Sequence, residues 1–173
     1  MKASTILLIL TMLCSIGFAQ EQGKKPKASP PDSSKVTTDD GVNIAINYSS
    51  PSLKGRELGV DLAKIGEVWR TGANEATTVE FDKNVLVNGQ KLPAGKYSLY
   101  SIPGENQTTF IFNKTWKQWG TEYDENQDAL RIVVDNEENT DNVERLKITA
   151  EQDGNIHLAW GNYGLTMNVK ADK

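Results

Sequence analysis

The sequence predicts an all-β domain, an antiparallel β-sandwich or jelly roll with about nine short strands and at most one short helix. The first observation is an alternation of apolar and polar residues, clearest over 42–48, where every second side chain is large and apolar. The second is a series of turn signals between such segments, including Asn88-Gly89 and Asp153-Gly154. The third is that no stretch beyond residue 20 carries apolar residues at helical spacing over three turns.

The N-terminal residues 1–19 predict a secretory signal peptide. Lys2 provides the positive start, 6–18 form an apolar run, and Gly17 and Ala19 are the small residues expected before a cleavage site. The apolar run is shorter than the roughly 20 residues that a membrane-spanning helix needs. We therefore expect an exported protein, periplasmic or secreted after cleavage near Ala19, with no membrane span in the mature chain.

The remainder of the chain divides into a linker and one domain. Residues 20–35 are polar and contain three prolines, which predicts an extended linker. Residues 36–173 are expected to form a single β-sandwich domain. The alternation predicts strands, in chain order, at 42–48, 77–82, 85–87, 90–92, 96–102, 108–113, 129–135, 143–150, 155–160 and 165–170.

The connections between these strands carry their own signals. Asn88-Gly89 fits a type I′ turn, because both central residues of that turn take positive φ, and it predicts a tight hairpin. The single helical candidate is a turn or two at 60–65. The acidic run 135–141 is expected to be a solvated loop between strands.

Several motifs together resemble a known family. They are YSSPSLKGR (48–56), GEVWRTGANEATT (66–78), LPAGKYSL (92–99), IPG (102–104), FNK (112–114) and QWG (118–120). In this order they resemble the domain-of-unknown-function family 2911, exported proteins of Bacteroidota and related bacteria, over residues 30–170. The resemblance implies a β fold and export, and it brings no activity with it. Ser50 departs from the family's usual Tyr-Ser-Arg-Pro, so a ligand of that arginine is expected to bind less well here.

The segment 69–78 concentrates side chains suited to ligand binding, and we take Trp69, Arg70, Thr71, Asn74 and Glu75 as candidate ligand-binding residues. An arginine offers a planar fork of donors that suits a carboxylate, a phosphate or a sugar diol. Glu75 is suited to accept hydrogen bonds from sugar hydroxyls or to act as a base. The structural alternative is that Arg70 and Glu75 pair with each other, or cap loop backbone, and fix the entry into the sheet.

Two further candidates, Trp116 and Trp119, flank a loop that no strand pattern covers. Exposed tryptophan rings stack on sugar rings, so the pair points to a carbohydrate ligand. The alternative is that one or both rings close the open end of the sandwich, since tryptophan is highly buried on average.

Charge and composition exclude other classes. Nineteen Lys and Arg against 23 Asp and Glu give a formal net charge of −4, so the chain lacks the basic surface that nucleic acids require. His157 is the single histidine, which excludes a multi-histidine metal site. Residues 124–128 match the start of a calcium loop, but Ala129 stands where the glycine of its sharp turn belongs. We predict no metal and no cofactor.

Three functions remain open. The first is a non-catalytic binding domain of the cell envelope that takes a small polar or carbohydrate ligand near Arg70 and Glu75. The second is a carboxylate-based hydrolase with Glu75 as base, which needs a second carboxylate across a cleft. The third is a structural domain that contacts another envelope protein. A deep cleft holding both residues favours the first two, and a flat, ion-paired surface favours the third.

Overall fold

The computed structural model describes residues 28–173, which form ten strands in two antiparallel sheets that do not close into a barrel. This confirms the predicted all-β class. The predicted signal peptide and residues 20–27 of the predicted linker lie outside the described residues. Among residues 28–173 the helical structure is one short 3-10 turn, Glu125–Gln127, and no helix there is long and apolar enough to span a bilayer.

The strands are β1 (Pro31–Thr37), β2 (Asn43–Ser49), β3 (Thr78–Phe81), β4 (Val85–Val87), β5 (Gln90–Leu92), β6 (Gly95–Ile102), β7 (Gln107–Asn113), β8 (Asp128–Asp135), β9 (Glu137–Ala150) and β10 (Asn155–Ala171). The larger sheet has six strands in the order β1-β2-β3-β6-β7-β8. The smaller sheet has four, in the order β5-β4-β10-β9. The large sheet is thus assembled mostly from neighbours in sequence.

One hydrophobic core lies between the two sheets. The strand alternation predicted from the sequence puts Phe110 and Phe112 of β7 into this core, together with Leu158 and Trp160 of β10. Ile111 points to the opposite face of the large sheet, yet it is also fully buried. The outer face of the large sheet is therefore covered around Ile111 and Tyr100, where the 114–127 segment supplies residues that contact it, whereas Val133 on the same face is exposed.

The hairpin of β4 and β5 forms as predicted, with Val87 paired to Gln90 across the turn. Asn88 has φ 45° and Gly89 has φ 81°, which matches the positive values that a type I′ turn requires.

The linker prediction extends too far. Pro31–Thr37 forms β1, which pairs with β2 along its whole length, from Pro31 opposite Ser49 to Thr37 opposite Asn43. The hydroxyl of Tyr48 also donates to Asp32, with 2.8 Å between the two oxygens. An edge strand that is held by main-chain bonds and remains largely exposed needs no apolar alternation, so its sequence resembles a linker.

Two predictions in the small sheet are wrong because they, too, depend on how strands pair, which the local sequence pattern does not show. The acidic run expected to be a loop enters β9 from Glu137 onward, because Glu137 pairs with Gly164 and Glu138 with Tyr163. The two strands predicted at 155–160 and 165–170 form one long strand, β10. Its ladder shifts register around Gly161, whose φ of 60° accommodates the bulge.

The helix predicted at 60–65 does not form. The backbone from 57 to 66 makes turns instead, with the Gly59 amide bonded to the Leu62 carbonyl and the Ile65 amide bonded to the Gly59 carbonyl. Gly59 and Ala63 have φ values of 83° and 46°, which no right-handed helix contains. This segment, called the 57–66 loop below, packs Leu58, Leu62 and Ala63 against the core.

Candidate functional site

The position of the candidate segment is set by two isolated backbone bridges, Trp69 to Ser101 and Glu75 to Trp119. In the first bridge the two amide-to-carbonyl distances are 2.7 and 2.8 Å. Because successive residues of an extended chain point to opposite faces, Trp69 and Arg70 lie on different sides of the large sheet. Trp69 stacks on Trp160 with 5.4 Å between ring centroids, whereas Arg70 lies beside Tyr100 on the outer face.

Thr71 stabilises the loop from inside the protein and is not accessible at the surface. It is fully buried with φ 48°, and its hydroxyl donates to the Ser101 hydroxyl at 3.0 Å. Its carbonyl accepts a hydrogen bond of 2.9 Å from the Thr77 hydroxyl. The polar groups of Thr71 are therefore occupied inside the protein.

Arg70 lies in a cleft of about 450 Å³. The cleft, called the Arg70 cleft below, is lined by Val68, Trp69, Arg70, Tyr100, Gly120, Thr121 and Tyr123. Gly120 lets the aliphatic part of Arg70 lie against the 114–127 segment, because a Cβ at this position would stand 2.4 Å from the Arg70 Cδ. The backbone of the segment thus fixes the stem of the arginine.

The guanidinium of Arg70 has no anionic partner within residues 28–173. The ion pairs found there involve other side chains, so the Arg70–Glu75 pair of the structural alternative is not formed. The Nε of Arg70 is buried and finds no hydrogen-bond partner in the part of the chain that the structure describes. A buried donor without an acceptor costs about 1–3 kcal/mol, so this atom is a destabilising feature of the unliganded protein.

The walls of the cleft are uncharged aromatic rings. Burial raises the pKa of Tyr100, and its hydroxyl donates to the Glu122 carbonyl at 3.1 Å. Burial, followed by the hydrogen bond to Asp128, raises the pKa of Tyr123 to about 12. Both phenols are therefore protonated at neutral pH, and Arg70 is the charged residue among those that line the cleft.

Glu75 lies elsewhere. It is exposed and lines a second groove, of about 370 Å³, with Ala28, Ser29, Asn74 and Trp119. We call this the Trp119 groove. Trp119 itself is 48% exposed. The Asn74 side-chain amide donates to the Ser29 carbonyl at 3.3 Å. The structure does not bring Arg70 and Glu75 into one cleft, and Glu75 is the one carboxylate among the groove's lining residues.

Trp116 lies outside both sites. Its ring is 40% exposed, and the ammonium group of Lys96 lies 4.7 Å from the ring centroid. This cation–π contact occupies one face of the ring. Trp116 and Trp119 therefore do not form a joint platform for a sugar ring, because Trp116 lines neither the Arg70 cleft nor the Trp119 groove.

The acidic segment 124–128 uses its carboxylates internally. Asp124 accepts from the Asn126 amide at 3.0 Å, and Asp128 accepts from the Tyr123 hydroxyl at 2.7 Å and from Arg131. Within the described part of the chain no three His, Cys, Asp or Glu side chains come together in a way that suits a metal ion.

The tyrosines that wall the cleft, Tyr100 and Tyr123, were not among the residues predicted from the sequence. In GKYSLYSI the core alternation accounts for Tyr97 and Leu99, and Tyr100 falls on the other face. Ile111 does the same in β7. Large apolar side chains on both faces indicate a covered sheet, and this was the available signal that another segment packs on the outer face.

The comparisons with known proteins bear on family alone. None of the curated proteins and none of the solved structures compared with the chain matches it significantly. A family model described as Protein of unknown function (DUF2911) matches residues 29–169 and so includes every residue that lines the Arg70 cleft. The match confirms the family that the motifs predict. The chain therefore belongs to this family of proteins of unknown function.

Proposed function

We propose that the protein acts after export, in the periplasm or outside the cell, as a non-catalytic binding domain for a small polar ligand. The Arg70 cleft is the proposed site, and the ligand carries a carboxylate or another compact anion next to a flat or apolar part. The observation that carries this proposal is the buried, unpartnered Nε of Arg70. The signal-peptide pattern of 1–19 is what supports export.

The chemistry of arginine supports an anionic ligand group. A carboxylate accepts two parallel hydrogen bonds from a guanidinium, and such charge-assisted bonds are about twice as strong as neutral ones. Because Nε itself is buried, a ligand carboxylate would first accept from the Nη groups of this half-buried side chain, and a shift of the side chain toward the ligand would give Nε the acceptor that it lacks. The unmade bond is thus converted into binding free energy when the ligand arrives.

The shape and walls of the cleft support a small molecule with a flat part. A volume of about 450 Å³ lies within the usual range of ligand pockets, about 300–1,000 Å³. The rings of Tyr100 and Tyr123 lie 4.9 Å apart at 58° and provide apolar contact area without negative charge. The anion then meets Arg70 while the rest of the ligand contacts the rings.

The lining residues also favour binding over catalysis. They include no carboxylate, imidazole or thiol, so the proton-transfer group that the hydrolase hypothesis assigned to Glu75 is not among them. The structural hypothesis required a flat, ion-paired surface at Arg70, and the observed cleft and unpaired guanidinium argue against it.

The test is a thermal-shift screen of the mature chain with small carboxylates, uronic acids and inorganic phosphate, repeated with neutral sugars. A ligand at one hundred times its dissociation constant adds about 2.7 kcal/mol of stability, which raises the Tm by several degrees. We expect an anionic hit that Arg70→Met abolishes. Lys91→Met, which removes an equal charge from an exposed residue of β5, should leave the shift intact. Shifts that persist in Arg70→Met, or none with any anion, would contradict the proposal.

A second candidate function is carbohydrate binding in the Trp119 groove. The observation that favours it is the exposed Trp119 ring beside the polar side chains of Asn74 and Glu75. Neutral sugars in the same screen test it, with Trp119→Ala expected to abolish a sugar-dependent shift. Trp116→Ala is the matched control, because Trp116 does not line the groove and should retain the shift.

A further inference from the structure

An apolar cavity of about 160 Å³ lies under the 57–66 loop. Leu58, Ala63, Trp69, Leu158, Trp160 and Leu165 form most of its apolar wall. Trp69 and Trp160 are stacked with 16° between their planes, so together they form a flat aromatic side. The core side of the large sheet supplies Ser101 and Thr108, which places this cavity on the opposite face from the Arg70 cleft.

The polar groups at this cavity are bonded to one another. The Ser101 hydroxyl accepts from Thr71. The hydroxyls of Thr108 and Tyr163 are hydrogen-bonded to each other, and they lie 2.9 and 2.8 Å from the Asn136 side-chain carbonyl, which accepts from this pair. Among the described residues that line the cavity, Glu105 is the one that carries a charge, and it is exposed. The Ser101 hydroxyl is the one group whose own proton has no acceptor among the described residues, so a charged or strongly polar guest finds at most one partner inside, and desolvating it would be costly.

The volume fits a single ring. An engineered apolar cavity of about 150 Å³ in another protein stays dry and binds benzene. A water molecule needs two to four polar partners, which this wall does not offer. A flat ring packed against the Trp69–Trp160 side gains dispersion and aromatic contact without losing any hydrogen bond.

The 57–66 loop lies at the mouth of the cavity. Ile65 lines the cavity and is 52% exposed, so it stands at the boundary between cavity and solvent. Most backbone hydrogen bonds of the loop are internal, and the Gly66 amide bonds to the Pro103 carbonyl at 2.8 Å. Val60, also exposed, extends the apolar surface of the loop.

We propose that this cavity is a second binding site, which takes a small, uncharged molecule with one aromatic ring. It is distinct from the proposed anion site, because the two open on opposite faces of the large sheet. The two sites share Trp69 as a lining residue, but they differ in charge, in polarity and in the guest each selects.

Toluene is the probe, and benzoate is its charged counterpart. We expect toluene to raise the Tm of the mature chain by a few degrees and to change tryptophan emission excited at the red edge. Benzoate should do neither through this cavity, and the toluene response should persist in Arg70→Met, which separates the result from the proposed function. An absent toluene response, or a benzoate response that persists in Arg70→Met, would overturn the proposal.

Cavity-filling variants locate the response. Leu165→Phe adds volume at the wall and should weaken toluene binding at least tenfold. Leu158→Phe provides a second test at another wall position, should the first variant not fold. Val133→Phe is the matched control, because it adds the same ring on the exposed outer face of β8 and should bind toluene normally. Equal toluene affinity in the filled and control variants would contradict the assignment.

Discussion

Two arginines lie on the same face of the large sheet and have opposite environments. The ladder pairs Tyr100 with Ile111 and Ile111 with Arg131, and the Trp69–Ser101 bridge brings Arg70 to the Tyr100 end of this row. Arg131 at the other end donates to Asp128 from Nε at 2.8 Å and reaches the Tyr123 hydroxyl at 2.9 Å. Arg70 has no ion pair within residues 28–173, and its Nε has no partner.

The two arginines differ in how fully their own protein satisfies the guanidinium. The hydrogen bond with Asp128 raises the pKa of Arg131, as expected of a guanidinium held in place by its own protein. Tyr123 belongs to both environments, since its hydroxyl bonds to the Arg131 cluster and its ring lines the Arg70 cleft. The satisfied arginine thus positions a wall of the cleft, and the unsatisfied one is the residue that the proposed function assigns to a ligand.

The largest effect is expected from Arg131→Met. The change removes both hydrogen bonds and leaves Asp128, whose side chain is 12% exposed, without its cation. Because Arg131 itself is 44% exposed, solvent screening limits the loss to about 1–2 kcal/mol. Differential scanning calorimetry should show a Tm lower by about 3–8 °C. An unchanged Tm would remove the distinction between the two arginines.

A smaller effect is expected at high pH. Tyr123 has a pKa raised from 10.0 to about 12, so its neutral form stabilises the folded state fully below pH 10. That stabilisation is lost as the pH rises through about 12. The Tm should therefore fall between pH 10 and 12, and the fall should be shallower in Tyr123→Phe.

Tyr48 is the control for this titration. Its pKa is also raised to about 12, mainly by burial, but it lies in β2 and bonds to Asp32 and the Ile148 amide. Tyr48→Phe should remove a separate part of the fall and leave the contribution of Tyr123. The same pH profile in Tyr123→Phe and in the natural protein would show that burial and Asp128 do not raise the pKa of this phenol.

How much of the fold can be predicted from the sequence depends on how far apart along the chain the interacting residues lie. The β4–β5 hairpin follows from Asn88-Gly89 because a type I′ turn is decided by two adjacent residues. The edge strand β1 and the long β10 depend on partners far along the chain, and local alternation does not contain that information.

The candidate site, like the fold, can be predicted from the sequence only in part. Sequence reasoning selected Arg70 and Glu75 because their side chains suit a ligand, and it treated them as neighbours. Their surroundings are decided by the bridges to Ser101 and Trp119, and each bridge joins residues more than 25 positions apart. The face to which each side chain points depends on that pairing, so the separation of the two residues was not predictable from their spacing.

We propose that the guanidinium of Arg70 serves a ligand and not the fold. The most direct test is the Tm of Arg70→Met without ligand, measured beside Arg131→Met. Methionine keeps the stem that packs near Gly120 and removes the unpartnered donor, so we predict a stability within about 0.5 kcal/mol of the natural protein, or slightly higher. A loss as large as that of Arg131→Met would contradict the account, because it would show that Arg70 holds the fold.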